Sequence, residues 1–321
     1  MLLVMVLIYL SFIIINDFPP SDTDSCINCP DDSWPDEKKI ICKLKAVEYL
    51  SFDDPLGTAL TGLAIILSAI PTFVLMTFIK YRDTPIVKAN NRSLSYFLLV
   101  ALILCFLCSL MFIGKPSTAS CLLRQAAFGV TFSVCVSFIF AKTITVVIVF
   151  GATRPGGLQQ KWFGSRTPSF IGCFCSGLQV IICTVWLGLS PPFPEENMNL
   201  FNDKIIIECN EGSITMFYLM LGYLGLLSSV CLVAAFLVRK LPDRYNEAKF
   251  ITFSMLIFVS VWLTFIPAYL STKGKYVVTV EIFAVLSSGF GLMSCIFFPK
   301  CYIILLRPNL NIKESVSRRS N

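Results

Sequence analysis

The 321-residue chain is 55% hydrophobic and only 14% charged, with a formal net charge of +6, so most of its residues belong in lipid and no large soluble domain fits. Nucleic-acid binding would need a basic patch on a soluble face, which the pattern does not offer. Histidine is absent, which removes Ser–His and Cys–His nucleophilic pairs and histidine metal sites; no enzyme, cofactor or metal chemistry is expected.

In chain order, residues 1–16 are apolar and uncharged, but too short for a comfortable span. They read as a signal-like hydrophobic segment, cleaved or retained, or else as a short extra anchor or the mark of a truncated gene. The first choice lacks a Lys or Arg n-region and a clear cleavage site. Residues 17–55 are polar and carry Cys26, Cys29 and Cys42. Seven runs follow, at 56–79, 93–113, 122–149, 170–189, 214–238, 250–270 and 277–298. Each is long enough to cross a hydrocarbon core of about 30 Å, which needs roughly 20 helical residues. Breakers fall between them at Pro85, Arg154-Pro155-Gly156-Gly157, Pro191-Pro192, Pro242 and Gly274, while Pro71 and Pro267 lie inside spans and predict kinks. The fold class is therefore an all-α membrane protein: a seven-helix bundle over 56–306, a short cysteine-containing segment before it and a tail over 307–321.

Charge sets the expected orientation. The odd-numbered loops and the tail hold sixteen basic residues, including Lys80, Arg82, Lys88, Arg92, Arg239, Lys249 and Lys300, against nine on the other side. By the positive-inside rule the sixteen face the cytosol, which places residues before 56 outside. Fifteen of the twenty acids lie on the outer side, which agrees but carries little weight.

Of the fourteen cysteines, those within spans read as small apolar packing residues, whereas Cys26, Cys29, Cys42, Cys121 and Cys209 face an oxidising compartment where disulfides are expected. Ionisable residues at membrane depth are few: Lys142, Glu247, Lys249 and Glu281. No chain of them crosses the midplane, which disfavours a transporter. Lys142 and Glu247 share the cytosolic depth and have opposite sign. On charge and depth alone they are either snorkelling side chains or an interhelical ion pair.

Three segments carry a resemblance. Arg82-Asp83-Thr84-Pro85-Ile86-Val87-Lys88-Ala89-Asn90-Asn91, Asn246-Glu247-Ala248-Lys249-Phe250 and Pro299-Lys300-Cys301-Tyr302 resemble signatures of class C G-protein-coupled receptors. Within that class, Phe140 to Val147 and Pro299 to Pro308 most resemble the vomeronasal type 2 receptors, relatives of the calcium-sensing receptor. The resemblance runs from Cys26 to about Pro308.

What the resemblance implies is specific. Lys142 and Glu247 match the inner ionic latch, with Asn91 near a polar helper. Trp262 and Pro267 match sixth-span positions that move on activation. Arg82, Lys88, Arg92, Lys249, Pro299, Lys300 and Tyr302 lie in motifs facing the G protein. Cys121–Cys209 and Cys29–Cys42 match two disulfides, and Cys26 matches a cysteine whose partner lies further upstream. The class binds agonist in a bilobed domain ahead of the linker, so the chain is expected to be an N-terminally truncated form with no assignable ligand site. The implied role is transmission of an outer chemosensory signal across the plasma membrane to a heterotrimeric G protein of inhibitory type, with homo- or heterodimers as further partners. The competing expectation is a non-signalling form that dimerises with full-length receptors and modulates them.

Overall fold

Backbone amides in a bilayer find no water, so a spanning segment must bond to itself, and in a computed structural model all seven apolar runs are α-helical. The structure describes residues 29–30, 32–36, 38, 41–152, 167–198, 200–239 and 247–307. The expectations for residues 1–16, Cys26, the loops at 153–166 and 240–246, and the tail after 307 lie outside them.

The helices are α1 (Pro55–Lys80), a short α2 (Pro85–Ala89), α3 (Arg92–Cys108) with a 3-10 turn over Ser109–Phe112, α4 (Thr118–Ala152), α5 (Thr167–Leu189), α6 (Ile214–Val238), α7 (Glu247–Ser271) and α8 (Lys275–Leu306). Among the described residues, seven are long and apolar enough to span: all but α2. Pro55 and Pro85 open α1 and α2, where the missing N–H costs nothing. Pro85, read as a breaker, thus starts a helix of its own. The backbone runs on as helix through Pro71 and Pro267, and also through Pro299, so α8 extends about two turns past the expected end at 298.

Burial divides the bundle into layers. The spanning windows of α3, α4 and α8 are 56%, 67% and 61% buried, whereas α1, α5, α6 and α7 reach only 28–33% and turn side chains such as Phe170, Leu237 and Leu263 outward to lipid. The enclosed helix α4 touches α3, α5, α6 and α7, and α8 touches α1, α3 and α7. Leu98, Phe106, Phe132, Ile139, Phe258, Met293 and Phe297 fill the space between them. Many hydroxyls inside the bundle are satisfied locally, as where Thr77, Thr131, Ser176 and Thr252 donate to carbonyls four residues back, although the buried Ser133 and Ser137 hydroxyls have no partner.

The chain forms two compact units, Met1–Lys45 and Ala46–Asn321. In the first, β1 (Ser33–Pro35) and β2 (Cys42–Leu44) pair antiparallel beside a Cys29–Cys42 disulfide. In the second, β4 (Phe193–Asn197) and β5 (Lys204–Asn210) form an antiparallel hairpin, and β3 (Ala46–Glu48) adds to β5 in parallel, giving the order β3-β5-β4. These short strands were not expected from the sequence, because periodicity over three to seven residues does not separate strand from loop. One covalent and one ionic tie hold the sheet to the bundle. Cys209 on β5 is bridged to Cys121 on the first turn of α4, with Cα atoms 5.5 Å apart across 88 positions. Lys275, the first residue of α8, reaches Asp54 Oδ2 at 2.7 Å and Glu48 Oε1 at 3.3 Å, and Lys204 meets the other Glu48 oxygen at 3.3 Å.

Opening the long Cys121–Cys209 loop frees the denatured chain, at a cost of about 2–5 kcal/mol in small domains. Cys209→Ser should lower the thermal midpoint of the detergent-purified protein. Non-reducing peptide maps should recover Cys121 and Cys209 as one linked pair; recovery of either thiol alkylated refutes the bond.

Candidate functional site: a buried charge cluster at one end of the bundle

Four side chains from four helical elements meet at the end of the bundle opposite the sheet. Lys142 lies on α4, Glu247 is the first residue of α7, Lys300 follows Pro299 on α8, and Asn90 ends α2. Lys142, Lys300 and Asn90 are 3%, 6% and 4% exposed, which rules out the snorkelling reading for Lys142. Lys142 Nζ donates to the Asn90 carbonyl at 2.7 Å, to Asn90 Oδ1 at 2.9 Å and to Glu247 Oε1 at 3.4 Å. Lys300 Nζ donates to Asn90 Oδ1 at 2.5 Å and to Glu247 Oε1 at 2.8 Å. One carboxylate and one amide therefore tie α4, α7, α8 and the α2–α3 turn together, and a charge removed from such a site leaves its partner buried and uncompensated.

Two positions differ from expectation. The polar group that reaches Lys142 is Asn90, whereas Asn91 takes a left-handed backbone (φ 50°) as the residue ahead of α3. A sharp turn there needs a residue tolerant of positive φ, which suits Asn. Lys300, expected to face the G protein, is instead sealed in the cluster, because α8 continues as helix through Pro299. The other residues of those motifs stay nearer the surface: Lys249 is exposed, Pro299 is partly buried, and Tyr302 is exposed with Arg307 over its ring at 5.9 Å. Arg82, Lys88 and Arg92 all surround Asp83, at 3.6, 3.4 and 3.9 Å. Lys88 above all holds the Asp83 carboxyl below the usual carboxylate range. These solvent-exposed pairs contribute little to stability.

Trp262 sits midway along α7 in a nest of rings, with Phe128, Phe132, Phe258 and Phe265 at centroid distances of 5.1–6.1 Å. Pro267 lies one turn further on and points to the exterior. Toward the sheet end, a cavity of about 220 Å³ is lined by Arg124, Glu208, Glu211, Tyr269, Lys275 and Glu281, among others. Arg124 Nε and Glu281 Oε2 are buried there without a hydrogen-bond partner, as is Trp262 Nε1 in the ring nest. Burial pushes the Glu211 carboxyl up, and its main-chain carbonyl accepts from Trp186 Nε1 at 3.0 Å.

Comparison with known proteins places this architecture. Residues 50–300 match the family model described as "7 transmembrane sweet-taste receptor of 3 GCPR". The chain is 54% identical to vomeronasal type-2 receptor 26 of Mus musculus over 287 residues, 89% of this chain and 34% of that protein. It is 48% identical to the extracellular calcium-sensing receptor of Homo sapiens over 314 residues, 92% of this chain and 29% of that protein. Against the human G-protein coupled receptor family C group 6 member A it is 38% identical over 297 residues, 92% of this chain and 32% of that protein. The chain belongs to the class C family of seven-transmembrane receptors. These relatives are receptors rather than enzymes, and the chain spans about a third of their length.

Sequence reasoning brought Lys142 and Glu247 together but missed the roles of Asn90 and Lys300. Lys300 lay just past the hydropathy-defined end of its span, and the signal that could have found it is the apolar Tyr302-Ile303-Ile304-Leu305-Leu306 run, which continues the helix. Arg124, near the start of the third run and counted only among the nine bases of the other side, is 6% exposed.

The aromatic nest is testable by itself. Phe132 is fully buried against Phe128, Phe258 and Trp262, so Phe132→Ala should cost about 3–5 kcal/mol and Phe132→Leu much less. Thermal unfolding in detergent measures both; equal midpoints for the two variants would show that the ring packing contributes nothing.

Proposed function

We propose that the chain is the membrane domain of a class C receptor, relaying an external chemosensory stimulus to a heterotrimeric G protein in the cytosol. The observation that carries this reading is the Lys142–Glu247–Lys300 cluster, which clamps α4, α7 and α8 at one end of the bundle. Sixteen basic residues against nine favour that end as the cytosolic one and the sheet as extracellular. With the clamp closed, α7 is held against α4 and the cytosolic face stays shut. Breaking it lets α7 swing, pivoting about Trp262 and Pro267, and opens a cleft beside Arg82, Lys88, Arg92, Lys249, Pro299 and Tyr302 for a G protein of inhibitory type. On the outer side, the Cys121–Cys209 bond and the Lys275 ion pairs pass movement of β3 to α4 and α8. Multi-pass insertion in the plasma membrane and pairing with other class C receptors follow from the same family reading.

Topology is the first check. An epitope after Asn321 should be hidden from antibody in intact cells and one inserted beside Asp32 should be accessible; the opposite labelling sinks the orientation and the coupling with it.

The second check is the clamp. Stranding a buried charge costs about 3–5 kcal/mol, less where water reaches it, and each 1.4 kcal/mol moved from the closed state changes the closed-to-open ratio about tenfold. Glu247→Gln, which strands both lysines, should raise basal G-protein activation per surface receptor several-fold. Lys142→Met should raise it less, because Lys300 still neutralises Glu247. Basal activity unchanged in both would mean that the cluster restrains nothing.

A further inference from the structure

The charge cluster does not balance. Two nearly sealed ammonium groups share one carboxylate, and both use the same oxygen, Glu247 Oε1. Their other common acceptor is Asn90 Oδ1, which offers a dipole and no charge. The Asn90 amide Nδ2 is buried with no acceptor. Neither lysine has another acid within ion-pair distance among the described residues, and the neighbouring Asp83 is taken up at the exposed rim by Arg82, Lys88 and Arg92. Whichever lysine takes Glu247, the closed cluster holds a surplus positive charge out of water.

We propose that residue 90 sets the strength of the restraint: a neutral Asn leaves the closed cluster under-neutralised, and a carboxylate at the same position would complete it and lock the bundle. The physical basis is desolvation. A buried ammonium without a counter-ion is costly, so the closed state is penalised by its surplus charge, and opening returns that charge to water. Among the described residues, Asn90 is the uncharged side chain that accepts from both lysines. Its backbone is ordinary, at φ −82°, so Asp fits without strain. The exchange replaces the unaccepted Nδ2 donor with an oxygen, and the two carboxylates would then alternate with the two ammoniums. This inference rests on the clamp reading above.

The test uses the full chain, with two readouts: thermal midpoint after detergent purification, and basal G-protein activation per surface receptor. Asn90→Asp should raise the midpoint by several degrees and lower basal activation several-fold, whereas Asn90→Ala should move both the other way. Asn90→Asp should also reverse at least half of the rise caused by Glu247→Gln, since it restores a carboxylate to the two lysines. In a Lys300→Met background, where the charges already balance, Asn90→Asp should give no gain in midpoint. The inference is overturned by a midpoint that falls or stays constant in Asn90→Asp, by an equal gain in the Lys300→Met background, or by failure of Asn90→Asp to fold while Asn90→Ala folds. If Glu247→Gln raises basal activation and Asn90→Asp neither lowers it nor reverses the rise, this inference alone fails. If Glu247→Gln leaves basal activation unchanged, the clamp reading itself fails and takes this inference with it.

Discussion

A bilayer supplies no hydrogen-bond partner, and that single constraint organises the molecule. It makes each apolar run a helix, sends hydroxyls such as Thr131 and Ser176 back to their own helix, and drives buried ionisable side chains such as Lys142 toward polar partners on other helices. Lys142, Glu247, Lys300 and Asn90 are the consequence: four polar groups from separate elements, driven into one cluster because none has a better alternative. The three most enclosed helices, α3, α4 and α8, form the frame against which α7 is held.

The two ends of the bundle solve opposite problems. At the sheet end the fastening is covalent and multiple, with the Cys121–Cys209 bond on α4 and Lys275 spanning Glu48 and Asp54, so β3, β5, α1, α4 and α8 are held in one arrangement. At the other end the fastening is non-covalent, through the Glu247 carboxylate and the Asn90 amide. An ionic tie can open and close repeatedly at modest cost, which a covalent one cannot, and a carboxylate shared by two cations can keep one of them after losing the other. The aromatic nest around Trp262 lies between the two ends, where rings can exchange contacts without breaking an ion pair.

Charge balance matters more in such a cluster than the count of ion pairs. Pairs at the exposed rim, such as those around Asp83, are screened by water and tolerate imbalance. The buried cluster has no such screening, so a neutral amide in place of a carboxylate at position 90 changes the relative energy of closed and open bundles.

The number of spans, their approximate limits and the likeness of three segments to class C receptors were legible in the sequence, because hydropathy over about 20 residues and loop charge are local quantities. Charge and depth alone left the opposition of Lys142 and Glu247 open, and it was the class C resemblance that paired them. Whether they touched depended on which faces of α4 and α7 met, and helical phase is settled by packing across the whole bundle. Tertiary structure alone decided that Asn90 rather than Asn91 completes the cluster, since neighbouring residues at a turn point in different directions and Asn91 is taken by the left-handed bend. It also moved Lys300 from a surface motif into the interior, because hydropathy ends a span at the first proline and lysine, whereas α8 runs on through both with neighbours to satisfy them. The parallel addition of β3 to β5 joins residues 158 positions apart in the chain, a distance over which no local pattern carries information.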